Sequence, residues 1–193
     1  MLNIALFGPP GAGKGTQAKR IAAKYNLEHI STGEIIRKEI ASGSDLGKIA
    51  EEIINNGHLL SDEFVVELLE ESLNRETNTN GFLFDGFPRT EAQAHILDDM
   101  LREKGSDLRC LINIEVPFEV LLHRMMKRAE VEGRPDDTQE VITNRFKVYT
   151  EKTKPVENYY KRKGMCFDIN GDRNMDDVFE EITRIIDHLR SKK

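Results

Sequence analysis

Short apolar runs separated by longer amphipathic stretches set the rhythm of this chain. Leu2 to Phe7 has the length and content of a strand buried on both faces. Lys14 to Tyr25 follows with Ala18, Ile21, Ala22 and Tyr25 on one helical face. Leu27 to Ile30, Phe82 to Asp85, Leu108 to Val116 and Met165 to Ile169 are the further strand candidates. Between them lie helices. Ser61 is a good cap ahead of Phe64, Val65, Leu68, Leu69 and Leu73. Pro117 suits the first turn of a helix carrying Val120, Leu121 and Arg124. Thr138 can cap a helix running towards Thr150, and Pro155 starts or kinks the next. Met175, Val178, Phe179, Ile182, Ile185, Ile186 and Leu189 form the apolar stripe of a final helix. Strands alternating with helices predict an α/β fold of three layers, a five-stranded parallel sheet with helices on both faces. Such sheets take ligands at the carboxyl ends of their strands.

Two stretches break the alternation. Residues 31–60 are mostly helical, with turn signals at Ser42-Gly43-Ser44-Asp45 and Asn55-Asn56-Gly57. Ala129 to Asp137 predicts a polar loop with Gly133 and Pro135. Both are expected to be insertions that move relative to a core made of 1–30, 61–127 and 138–193.

Composition adds limits rather than direction. The chain has 193 residues, 38% hydrophobic and 32% charged, within the range of a globular protein. No apolar run approaches the roughly 20 residues of a membrane span. The first residues show no basic segment, apolar core and cleavage site of a signal peptide. Cys110 and Cys166 sit in separate apolar runs, expected as buried core thiols of a cytoplasmic protein. The net charge of −6, with acids and bases interleaved, argues against a nucleic acid polymer as partner. Anionic small molecules remain accessible if a few arginines converge in one cleft.

The most informative stretch is Gly8-Pro9-Pro10-Gly11-Ala12-Gly13-Lys14-Gly15-Thr16, between the first strand and the first helix. That context makes it a nucleoside triphosphate loop. Glycines let backbone N–H groups turn towards phosphate oxygens, and the helix amino end adds a positive dipole. Lys14 supplies a point charge for the β- and γ-phosphates. Where the general motif has a metal-binding hydroxyl directly after the lysine, this chain has Gly15, with Thr16 next. Magnesium is then expected to be held partly through water.

Gly-Lys-Gly-Thr in this place resembles the nucleoside monophosphate kinases, and the rest of the chain resembles the adenylate kinases. The matching segments are Ile30-Ser31-Thr32-Gly33 with Arg37, Asp85-Gly86-Phe87-Pro88-Arg89-Thr90 with Gln93, Arg124 with Arg128, Gly133-Arg134-Pro135-Asp136-Asp137 with Arg145, and Gly171 with Arg173. They fall in order along nearly the whole chain. The resemblance implies a P-loop nucleotide kinase fold with an AMP-binding insert at 31–60 and a lid at 128–137. That lid is of the short type, with no set of zinc ligands. Lysine is frequent in the family where Arg173 stands.

By the same resemblance, ATP contacts Gly11, Ala12, Gly13, Lys14, Gly15, Thr16, Arg128 and Arg173. AMP contacts Thr32, Arg37, His58, Leu59, Leu60, Gly86, Phe87, Pro88, Arg89, Gln93, Arg134 and Arg145. Lys14, Arg89, Arg124, Arg128, Arg134 and Arg145 are the expected catalytic cations, and Asp85 orients magnesium through water. Gln93 and Thr32 are expected to read adenine; the alternative is that Gln93 merely lies on an exposed helix after Pro88-Arg89-Thr90. The implied partners are ATP, AMP and ADP, acting on a monomer.

The acceptor, a phosphate oxygen, is already anionic, so no general base is required. That agrees with the lack of any His-Asp or paired-carboxylate motif. A pyrimidine monophosphate kinase on the same fold is the alternative, and Thr32 and Gln93 argue against it. A guanine-reading switch would need an Asn-Lys-x-Asp motif, which the sequence lacks.

Overall fold

The computed structural model describes residues 1–75, 78–133 and 137–191. Its centre is a five-stranded, wholly parallel sheet in the order β2-β3-β1-β4-β5. The strands are β1 (Asn3–Phe7), β2 (Glu28–Ser31), β3 (Phe82–Asp85), β4 (Leu108–Glu115) and β5 (Cys166–Asn170). Each lies within a residue or two of the run that predicts it.

The sheet's alternation sorts its side chains into two cores. Ala5, Phe7, Phe82, Phe84 and Leu111 face one layer, made by α4 (Asp62–Asn74), α5 (Glu91–Glu103) and α8 (Pro155–Arg162). Ile4, Leu6, Leu83, Cys110, Ile112 and Ile114 face the other, made by α1 (Lys14–Tyr25), α6 (Phe118–Glu132) and α9 (Met175–Ser191). Burial on both faces is why β1 and the centre of β4 read as near-continuous apolar runs.

Residues 31–60 carry α2 (Thr32–Ser42) and α3 (Asp45–Asn55), capped by Ser31 and Ser44. Asn56 and Gly57 then dock on α7 (Gln139–Val148). The Asn144 amide donates to the Asn56 carbonyl, and a Cβ at Gly57 would stand 3.1 Å from the Val141 carbonyl oxygen. Ser61 and Thr138 cap α4 and α7 as predicted.

The structure corrects the pattern in several places. Ala129 to Glu132 are not loop: α6 continues through them and ends at Gly133, whose φ of 62° suits a left-handed cap. The segment after α7 is a π-helical turn, Tyr149–Thr153, leading into α8 at Pro155. Cys166 is half-buried rather than a core thiol; Cys110 is fully buried, and both are free. No described helix is long and apolar enough to cross a membrane.

Gly47 lies where α3 crosses α2. A Cβ there would stand 2.4 Å from the Glu39 carbonyl oxygen, a backbone atom that cannot rotate away. Helix propensity alone favours alanine over glycine by about 0.8–1 kcal/mol. Overpacking costs about 1–3 kcal/mol, so Gly47→Ala should lower the unfolding free energy in a denaturant titration. A more stable variant would show that the crossing relaxes freely.

Candidate active site

The loop between β1 and α1 wraps the carboxyl edge of the sheet. Gly8, Gly11 and Gly13 have φ of 138°, 83° and 90°, values that side chains rarely adopt. A Cβ at Gly8 would also lie 2.5 Å from the Ile114 carbonyl oxygen. The loop curls over Lys14, whose Nζ donates to the carbonyls of Gly8 (2.8 Å) and Pro9 (2.9 Å). Opposite, Asp85 ends β3 in register with Leu6. Its Oδ2 lies 3.5 Å from where a Cβ on Gly15 would stand, and 3.6 Å from His29 Nε2.

After Asp85 the chain turns through Gly86 (φ 81°) and a cis Phe87–Pro88 peptide. Arg89 Nε donates to the Gly86 carbonyl at 2.7 Å. A side chain at Gly86 would collide with both the Thr32 hydroxyl and the Arg89 guanidinium, each 2.9 Å from the Cβ position. This turn forms one wall of a cavity of about 380 Å³ that reaches from Pro10 and Lys14 to α2 and α3. Gly33, Arg37, His58, Leu59, Gly86, Pro88, Arg89 and Arg145 line it among others.

Asp137, with a fully buried side chain, holds two of the expected cations. Its Oδ2 accepts from Arg128 Nε at 2.6 Å. Its Oδ1 accepts from an Arg128 terminal nitrogen at 2.7 Å and from Arg145 at 2.9 Å. Arg124 lies further round. It donates to the Gly171 carbonyl at 3.0 Å and approaches Asp172, so it touches the loop after β5 rather than the Lys14 side of the cleft. Gly171 is pressed against β4, its N–H donating to the Glu115 carbonyl at 2.8 Å. Arg173 pairs with Glu181 and donates to the Asn170 carbonyl.

The family model described as adenylate kinase matches residues 6–165. The chain belongs to the adenylate kinase family. It is similar to the adenylate kinase of Azobacteroides pseudotrichonymphae, 46% identical over 98% of this chain and 99% of the relative. That of Bacteroides fragilis is 44% identical over 98% and 100%. The adenylate kinase of Archaeoglobus fulgidus is 36% identical over 98% and 100%.

Several residues that the family resemblance assigns to AMP do not line the cavity. Thr32 is buried and donates to the Gly86 carbonyl at 3.0 Å. Phe87 packs into the core beneath α4 and α5. Leu60 packs against the same core. Gln93 is only 1% exposed, not on a solvated helix face. Its Oε1 accepts from the Arg89 backbone N–H and its Nε2 donates to Asp62, each at 2.7 Å. A sequence signal for this existed. Thr90-Glu91-Ala92-Gln93 has the spacing of a capping box, in which the fourth residue folds back on the helix start, and Thr90 does cap α5. Asp62 and Asp137 are the residues that motif reading undervalued. Arg134 and Asp136 lie outside the described residues. Away from the cleft, the carboxylates of Glu115, Glu157 and Asp168 converge, and Lys161 bridges Glu157 and Asp168.

The cleft's charges act on one another. Burial pushes the Lys14 ammonium down to about 8, Asp85 opposes this, and Arg89, Arg145 and Arg128 reinforce it. Burial likewise lowers Arg89 to about 10, with Arg145 and Arg37 adding to the effect and Asp85 opposing it. Burial alone would raise the Asp85 carboxyl, but His29, Lys14 and Arg89 hold it below the ordinary value. A bound phosphate must draw the Lys14 pKa back up, since it stabilises the charged form. Above pH of about 8 the free enzyme therefore takes up a proton on binding triphosphate. The kcat/KM for ATP should fall through an apparent pKa near 8, while kcat holds to higher pH. Coincident alkaline limbs in the two profiles would contradict this.

Proposed function

We propose that the chain transfers the terminal phosphate of Mg-ATP to the phosphate of AMP, giving two ADP, with the residues acting as follows. The observation that carries the assignment is the convergence of Lys14, Arg37, Arg89 and Arg145 on one cavity, with Arg128 held beside them by Asp137. Phosphoryl transfer asks for positioning and charge stabilisation and very little covalent chemistry. Lys14 and the loop N–H groups hold the triphosphate of ATP. Arg37 and Arg89 grip the acceptor phosphate, the planar guanidinium pairing with its oxygens. Arg128 and Arg145, oriented by Asp137, act on the bridge between the two nucleotides, and the family resemblance assigns Arg134 to the same phosphates. Arg124 stands with Gly171 and Arg173 at the ATP base.

The residues present suit a magnesium ion bound through water. Asp85 is ionised and faces Gly15, where the general motif would place a hydroxyl. When bound with ATP, the ion neutralises charge on the β- and γ-phosphates. Asp85 would accept from its water ligands, and the missing side chain at Gly15 leaves space for them.

Residues 31–60 and 128–137 act as two closing segments over a core of 1–30, 61–127 and 138–193. Closure excludes water, which would otherwise compete with AMP for the phosphate, and strengthens every charge interaction inside. Asn56 and Gly57 dock on α7, and Arg145 of that helix binds Asp137 of the second segment. The chain is read as a monomer; among the described residues the exposed large apolar side chains are Met1, Leu46 and Ile49 on α3, Met126 and Val131 on α6, and Met175 at the start of α9.

Two measurements test this. Turnover with AMP, CMP, UMP and GMP at saturating Mg-ATP should favour AMP by orders of magnitude; faster reaction with CMP or UMP would contradict the acceptor. Lys14→Met should remain folded and lose about 10²–10³-fold in kcat, the effect of removing one preorganised electrostatic group. A folded variant with near-normal turnover would remove Lys14 from the reaction.

A further inference from the structure

We infer that Asp62 is a positioning residue for the acceptor phosphate: it fixes the Gln93 amide, and Gln93 in turn fixes the backbone of Arg89. Asp62 opens α4, four residues after His58 and three after Leu59, both of which line the cavity. Its carboxylate is not needed as the helix cap, because the Ser61 hydroxyl already accepts from the Phe64 N–H. Instead it reaches across to α5. Oδ1 accepts from Gln93 Nε2 at 2.7 Å, and both oxygens lie 3.2 Å from the Thr90 hydroxyl.

The polarity of this chain of bonds has one solution. A carboxylate can only accept and a backbone N–H can only donate. Gln93 must therefore turn its nitrogen to Asp62 and its oxygen to Arg89. Reversing the amide would set two acceptors face to face and two donors face to face. With Gln93 only 1% exposed, no bulk water rescues a broken link, and an unpaired buried amide is costly. The last member, the Arg89 N–H, belongs to the residue whose guanidinium lines the cavity and is itself tied to the Gly86 carbonyl. Asp62 thus ties the exit of the 31–60 insert to the wall that holds the acceptor.

The inference rests on Arg89 being a ligand of the AMP phosphate. Its test compares Asp62→Ala, Asp62→Asn, Gln93→Met and the Asp62→Ala/Gln93→Met double variant by KM for AMP, KM for Mg-ATP and unfolding free energy. Asp62→Ala should raise KM for AMP about tenfold, the equivalent of one lost buried hydrogen bond, and leave KM for Mg-ATP within about twofold. Asp62→Asn should stay near wild type, because its one carbonyl oxygen can accept from both Gln93 and Thr90. The double variant should be no worse than Gln93→Met, as expected of residues acting through one another. Equal rises in both KM values, additive losses, or an asparagine variant as impaired as alanine would overturn the inference. If Asp62→Ala does not fold, Asp62→Ser, too short to reach Gln93, takes its place. Arg89→Lys run alongside separates the two layers. An unchanged KM for AMP there would remove Arg89 from the acceptor site, while non-additive unfolding energies would still report the Asp62–Gln93 link.

Discussion

Like-charge crowding is the constraint on which this site depends. Lys14, Arg37, Arg89, Arg128 and Arg145 come together at the carboxyl edge of one sheet, where burial and the neighbouring arginines make the charges of Lys14 and Arg89 harder to hold. Asp85 from β3 and Asp137 ahead of α7 face them. Asp85 opposes the depression of Lys14 and Arg89 without cancelling it. In the proposed function, the charge that Asp85 leaves uncancelled is what a pair of nucleotides meets. Donors and charges already in place need no reorganisation during the reaction, which is where preorganised electrostatics gains its catalytic effect.

The fold makes such crowding tolerable by fixing cations to rigid backbone or, for Arg128 and Arg145, to the buried Asp137 carboxylate. Lys14 rests on the carbonyls of Gly8 and Pro9, Arg89 on Gly86, and Arg124 on Gly171. The parallel sheet, buried on both faces, supplies the anchor: β1 leads into the phosphate loop, β3 ends at Asp85, and β5 leads to Gly171. Glycine appears where the backbone must approach most closely. At Gly8 and Gly171 a Cβ would fall within 2.5 Å of Ile114 atoms. Those contacts hold the loop after β1 and the loop after β5 against the same strand.

Much of this was legible in sequence because the signals are local. Strand length, helical spacing and the glycine pattern around Lys14 each depend on a few adjacent residues. The strands fell within a residue or two of the structure, and the caps at Ser61 and Thr138 were readable from their hydroxyls alone. What escaped depends on tertiary partners. Gln93 carries the same amide whether it faces a ligand or an aspartate thirty-one residues earlier in the chain. Arg124 sits one turn before Arg128 on α6, yet the two guanidiniums meet different loops. Ala129 to Glu132 look like loop by polarity, but they extend a helix already nucleated and packed by Leu121 and Met125. Asp137 showed neither its burial nor its two arginines, since nothing local distinguishes a capping carboxylate from a clamp.

The most direct measure of the crowding is the stability of the unliganded protein when one cation is removed. If the cations are held together against their mutual repulsion, Lys14→Met should unfold at higher denaturant than wild type. A gain of roughly 0.5–2 kcal/mol is expected, since relieving a strained functional site commonly stabilises a fold. The gain should disappear when both proteins are measured with saturating nucleotide. A variant less stable than wild type without ligand would mean that the Lys14 bonds to Gly8 and Pro9 outweigh the repulsion, and that the cleft is not under charge strain.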